Sequence, residues 1–351
     1  MEQSNYTKNV NNTNSAAVPG SASGSQTVKK SRSDRTMANV YFLLLMLLMW
    51  GVNFIPMDIL TRMSGNFLIN ASLSELLIVI PALLMILVWL IRHAGDDADD
   101  ADRPRLSDRL MYRAVKPSTI LMTILYTLCI SPLVTLCNII TMRFVENTVL
   151  EYSNEILDMP IPTAIFVIAL LPPFCEELAF RGVVYGGYRR DCRPLAAVLT
   201  SALLFGLMHG NINQFAYAFV IGVAMALLVE ATGSIWPSIL MHILINSRSV
   251  LAMFALDHFY EGIFDEYLEG GLTEATSAAT TLVYVVLSVI TVMMAGAILA
   301  WVSQNEGRSN PLRSILANRA YKKSRVTVWD VFLILGIVAA VALIVAVELL
   351  T

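Results

Sequence analysis

The chain has 351 residues, of which 56% are hydrophobic and 15% charged, against roughly 25% charged in an ordinary soluble domain; this excludes a water-soluble globular fold and points to a membrane protein. The formal net charge of −3 carries little information, because acids and bases are segregated by region, and no nucleic-acid partner is expected. Four cysteines (Cys129, Cys137, Cys175, Cys192) lie in or beside apolar stretches without close paired spacing, which argues against a disulfide framework or zinc knuckle and for small packing residues.

In chain order, residues 1–36 are rich in Asn, Ser, Thr, Gly and Lys and predict a disordered polar tail. The tail contains no apolar core of the kind a cleavable signal peptide needs. Apolar stretches near the length of about 20 residues that spans a bilayer follow at 37–57, 72–92, 118–140, 161–188, 194–210, 213–231, 234–256, 277–303 and 328–350. The fold expected is all-α: a polytopic helical membrane protein with about nine transmembrane helices. Residues 37–158 hold the N-terminal spans, 159–256 a central group and 257–351 the C-terminal spans. An integral, multi-pass location is expected, in the plasma membrane if the source is bacterial.

Orientation is read from the loops. Arg and Lys crowd the N-terminal tail (Lys29, Lys30, Arg32, Arg35), the second connection (Arg92, Arg103, Arg105, Arg109, Arg113, Lys116), which is also rich in aspartate ("GDDADDADRPR"), the one after the fourth span (Arg189, Arg190, Arg193) and the one before the last (Arg308, Arg313, Arg319, Lys322, Lys323, Arg325). The loops after the third span (Glu146, Glu151, Glu155, Asp158) and the seventh (Asp257, Glu261, Asp265, Glu266, Glu269) are acidic. Basic loops on alternate connections predict a cytoplasmic N-terminus.

Ionisable groups inside spans cost at least about 2.5 kcal/mol on insertion scales, so they suggest function. Three clusters qualify: "EELAFR" (Glu176, Glu177, Arg181), "FGLMH" (Phe205, His209) and "HILIN" (His242, Asn246). Glu177 and Arg181 are spaced i,i+4 with the acid first, the better order for an ion pair. At the helical rise, Glu176 lies about 20 Å from the basic end of its span, His209 about 24 Å, Asn246 about 18 Å and His242 about 12 Å. These depths overlap, as one shared site requires. His93 and His258 read as solvated, and Glu230 as a boundary charge at the end of the sixth span.

The three clusters fit the motifs EExxxR, FxxxH and HxxxN, in that order, and "EATGSIWPSILMH" precedes the last. In this the sequence resembles the CPBP family of intramembrane proteases, which includes the CAAX prenyl endopeptidases and the bacterial Abi-type and bacteriocin-processing proteins. The resemblance covers roughly residues 160–250 and makes 159–256 the catalytic core. It implies an endopeptidase that cuts a membrane-associated or prenylated peptide or protein substrate, with membrane lipid as surroundings. It further implies that Glu176 is the base that activates water, that His209 positions this water, and that His242 and Asn246 stabilise the oxyanion. Glu177, Arg181 and Phe205 would support them. No cofactor is expected. Zinc on Glu176, His209 and His242 is the alternative mechanism, although HExxH is absent. A transport protein, a non-catalytic scaffold or immunity protein, and a cysteine protease using Cys175 are further alternatives.

Overall fold

The structure, a computed structural model, describes residues 34–53, 67–93, 106–145, 153–259, 277–308, 310 and 327–350. The expected tail at 1–36 lies outside these residues except for its last three, which begin the first helix. The loop charges at 103, 105, 146, 151, 261–269 and 313–325 also lie outside them. Among the described residues a helix lies over each apolar stretch: α1 Asp34–Asn53, α2 Phe67–His93, α3 Pro117–Thr141, α4 Ile161–Asp191, α5 Pro194–Leu207, α6 Ile212–Thr232, α7 Trp236–Phe259, α8 Ala278–Asn305 and α9 Val331–Leu350. Short turns at Leu106–Arg109 and Ser153–Leu157 precede α3 and α4. No strand occurs among the described residues.

Six of these helices, α3, α4 and α6 to α9, are long and apolar enough to cross a membrane. Leucines and valines face outward along α3 and α8, as lipid-facing surface does, and the protein is a helical, multi-pass integral membrane protein. The fifth stretch is shorter than its sequence suggested. The apolar pattern runs to residue 210, but α5 stops at Leu207, because the chain turns at Gly210 (φ 72°) and Asn211 caps α6 by accepting a bond from the Gln214 N–H. His209 therefore sits in a turn.

Helix α4 is the centre of the bundle, with α1, α2, α5 and α7 packed around it and α3 and α8 paired to one side. The α5–α6 pair approaches closely because Gly222 faces Ala202; a Cβ on Gly222 would lie 3.0 Å from the Ala202 Cα.

Charges sort to the two ends. At one end Arg190 pairs with Asp34 (3.3 Å), Arg35 with Asp330 (3.8 Å), Arg189 with Glu230 (2.6 Å) and Arg113 with Glu306 (3.8 Å). Glu230 is thus no simple boundary charge. It is buried, takes both arms of Arg189 and the hydroxyl of Tyr185, and its backbone carbonyl accepts from Arg308 Nε at 3.1 Å. A carboxylate this far from water is tolerated only because a guanidinium fork satisfies it. The opposite end carries Glu155, Asp158, Asp257 and Glu348, the last accepting from the Ile212 N–H at 3.1 Å.

The four cysteines are free. Burial and neighbouring Asp191 push the Cys192 thiol up to about 11, which suits a packing residue. His258 is exposed against the Phe259 ring.

Candidate active site

The site begins with a defect in α4. Pro172 and Pro173 have no N–H, so the Ile168 carbonyl lacks a partner in both an α ladder (residue 172) and a π ladder (residue 173). The helix widens to a π form over Ile165–Leu170, where the Leu171 N–H reaches back to the Phe166 carbonyl. It widens again over Leu178–Tyr185, where the Gly186 N–H reaches the Arg181 carbonyl. Between these two stretches, Leu171–Glu177 presents Glu176 and Glu177, both buried.

Glu177 is the anchored carboxylate. Its Oε2 lies 3.1 Å from Arg181 Nε and its Oε1 3.3 Å from His242 Nδ1. An ionised carboxylate can only accept, so His242 carries its proton on Nδ1 and turns Nε2 toward Glu176, 3.9 Å from Oε2. Arg181, 1% exposed, also reaches the Gly222 carbonyl at 3.4 Å. Its guanidinium stands 4.5 Å over the Phe205 ring, a cation–π contact.

Phe205 is the hub that fixes both imidazoles. Its ring lies edge-on to His209 (5.2 Å between centroids) and to His242 (5.7 Å). His209 Nδ1 is 2.8 Å from the Phe205 carbonyl, which can only accept, so Nδ1 holds the proton and Nε2 keeps the lone pair. Asn246 Nδ2 donates to the Ile168 carbonyl at 3.1 Å, the very acceptor the two prolines leave without a partner. One of its two N–H groups is therefore committed, and the second remains for other acceptors.

Glu176, Phe205, His209, His242 and Asn246 line a single cavity of about 430 Å³. It extends past Asn138 of α3, Gln214 and Tyr217 of α6 and Met253 of α7 to Ile156, toward the acidic end. Glu177 and Arg181 stand behind its wall. All seven residues singled out in the sequence are thus brought together, five on the cavity and two in support. Gln214, Tyr217 and Arg248 also line it and belong to none of the three motifs. Among the described residues no group of three His, Cys, Asp or Glu side chains is arranged to hold a metal ion.

Comparison with known proteins agrees with the motifs. Residues 159–248 match the family described as "Type II CAAX prenyl endopeptidase Rce1-like". A Bacillus subtilis (strain 168) protein named "Putative membrane peptidase YdiL" is 28% identical over 103 residues, which make up 29% of this chain and 42% of that protein. No solved structure matches the chain. Residues 159–248, whose helices carry EExxxR, FxxxH and HxxxN, are thus similar to the CPBP family over about a quarter of the chain.

Proposed function

We propose that the protein is an intramembrane endopeptidase that hydrolyses a peptide bond of a membrane-associated peptide or protein, prenylated or not, with water activated by Glu176 and His209. The observation that carries this reading is the convergence of Glu176, His209, His242 and Asn246 on one cavity while Glu177 and Arg181 form a separate buried pair. Glu176 takes the proton of a water molecule held against the His209 Nε2 lone pair. The resulting hydroxide attacks the scissile carbonyl, and the oxyanion accepts from the uncommitted Asn246 N–H and from His242 Nε2 when that nitrogen is protonated. The proton on Glu176 then passes to the leaving amine. Nothing in this sequence requires a metal.

The test is cleavage of prenylated and unprenylated membrane peptides by purified protein in detergent, after chelator washing and with its metal content measured. Activity without stoichiometric metal is expected. Loss of activity on zinc removal and its return on zinc addition would overturn the metal-free mechanism. Asn246→Ala is expected to lower turnover roughly 100- to 1000-fold, the effect of losing one oxyanion donor.

The same reading includes nine spans with the basic end, and so the N-terminus, in the cytoplasm. The sorting of Arg35, Arg113, Arg189, Arg190 and Arg308 to one end supports it. Single cysteines at exposed Ser107 and Asn154, in a cysteine-free background, should give opposite results with a membrane-impermeant thiol reagent in intact cells. Asn154Cys is expected to be labelled and Ser107Cys shielded; the reverse pattern would invert the topology.

A further inference from the structure

Arg248 lies at the midpoint of α7, 12 residues from Trp236 and 11 from Phe259, which is about 18 Å and 16 Å along the axis. Its side chain is exposed and makes no hydrogen bond or ion pair among the described residues. Arg113, Arg181, Arg189 and Arg190 each have a carboxylate. Arg248 is also where two spaces meet. It lines the cavity that holds Glu176, and it lines a second space of about 500 Å³ between α3 and α7, walled by Leu128, Leu244 and Leu251. A cation within a span, with no counter-charge among the described residues, calls for an anion from elsewhere.

We infer that Arg248 is a specificity-determining residue that takes a carboxylate of the substrate peptide, either an acidic side chain or the C-terminus, as the peptide passes from the α3–α7 groove into the catalytic cavity. This rests on the endopeptidase reading above. Its place on the wall of the cavity that holds Glu176 favours a peptide carboxylate over a lipid phosphate. Phosphates sit outside a hydrocarbon core about 30 Å thick, whereas a peptide carries its carboxylate to whatever depth it is cut. A guanidinium binds a carboxylate through two parallel bonds, which fixes position as well as charge. Register follows from the helix: Arg248 is two residues beyond Asn246 and six beyond His242, about 3 Å and 9 Å along the axis. An extended peptide advances about 3.3 Å per residue, so the recognised carboxylate falls within about three residues of the bond that is cut.

The test uses quenched-fluorescent apolar decapeptides with a free or amidated C-terminus, each with Asp or Asn scanned through the positions beside the cleavage point. Wild-type protein in detergent is expected to prefer one carboxylate form over its neutral twin by roughly 10- to 100-fold in kcat/KM, as a charged hydrogen-bonding partner provides. Arg248→Gln should bring that ratio to about one, Arg248→Lys should keep part of it, and Arg248→Glu should favour a Lys-bearing peptide. The terminal and side-chain arms distinguish the two sources of the carboxylate. A ratio near one in wild type, or one that survives Arg248→Gln, overturns the inference. So does loss of bound phosphatidylglycerol from Arg248→Gln in nanodiscs with the peptide ratio unmoved, which would make the residue a lipid site. Binding of the same peptides to Glu176→Gln, with and without Arg248→Gln, is read by fluorescence anisotropy. If wild type cleaves nothing but an Arg248-dependent carboxylate preference persists in binding, the endopeptidase reading fails and this one stands.

Discussion

Glu176→Gln is expected to lower turnover by roughly 10²- to 10⁴-fold, the range that a positioned general base contributes, while folded yield stays at the wild-type level. The two effects separate because the residue borders the cavity, whereas the buried charge of Arg181 is met by Glu177 at 3.1 Å. Gln has nearly the same shape as Glu, so the wall of the cavity is kept. Cleavage rate and monodisperse protein recovered from detergent, measured on the same preparation, check both halves. Full proteolysis by Glu176→Gln would show that another group activates the water.

Arg181→Ala should do the opposite and fail mainly as a fold. Removing one partner of a buried pair leaves the other charge without compensation, at about 3–5 kcal/mol. Here the loss extends further, because the guanidinium also covers the Phe205 ring and reaches the Gly222 carbonyl on α6. Folded yield and melting temperature in detergent should fall together, and activity with them. The double variant Glu177→Gln, Arg181→Leu, which removes both charges, should recover much of the stability and little of the activity, since His242 loses the carboxylate that orients Nδ1. A melting temperature within about 2 °C of wild type for Arg181→Ala would show that the pair does not hold the bundle.

The helices were legible because lipid leaves a simple signal: long apolar stretches broken by charged or turn-forming residues. The seven site residues were legible for the complementary reason, since Glu, His and Arg stand out where every neighbour is apolar. Glu230 reads as a boundary charge in the sequence because what buries it, Arg189 and Tyr185, lies 41 and 45 residues earlier, and distance along the chain hides a partner. Arg248 falls just outside "HILIN" among serines, where a lone base reads as the end of a span; only the full length of α7 places it at the middle of the helix. The widened turns of α4 could not be read either. Two adjacent prolines announce a break in the ladder, but not which side chain from which helix closes it.

That closure has a consequence for anyone who engineers this protein. The bond from Asn246 to the Ile168 carbonyl exists because α4 is locally flawed, so robustness of the helix and readiness of the site are in competition. Alanine at positions 172 and 173 would restore the missing N–H groups and is an obvious stabilising change in a helix. It would also give the Ile168 carbonyl a partner within its own helix and release the Asn246 amide to rotate. A search for heat-resistant variants would therefore tend to select α4 sequences that melt later and turn over more slowly, a trade-off between durability and rate located at two neighbouring residues.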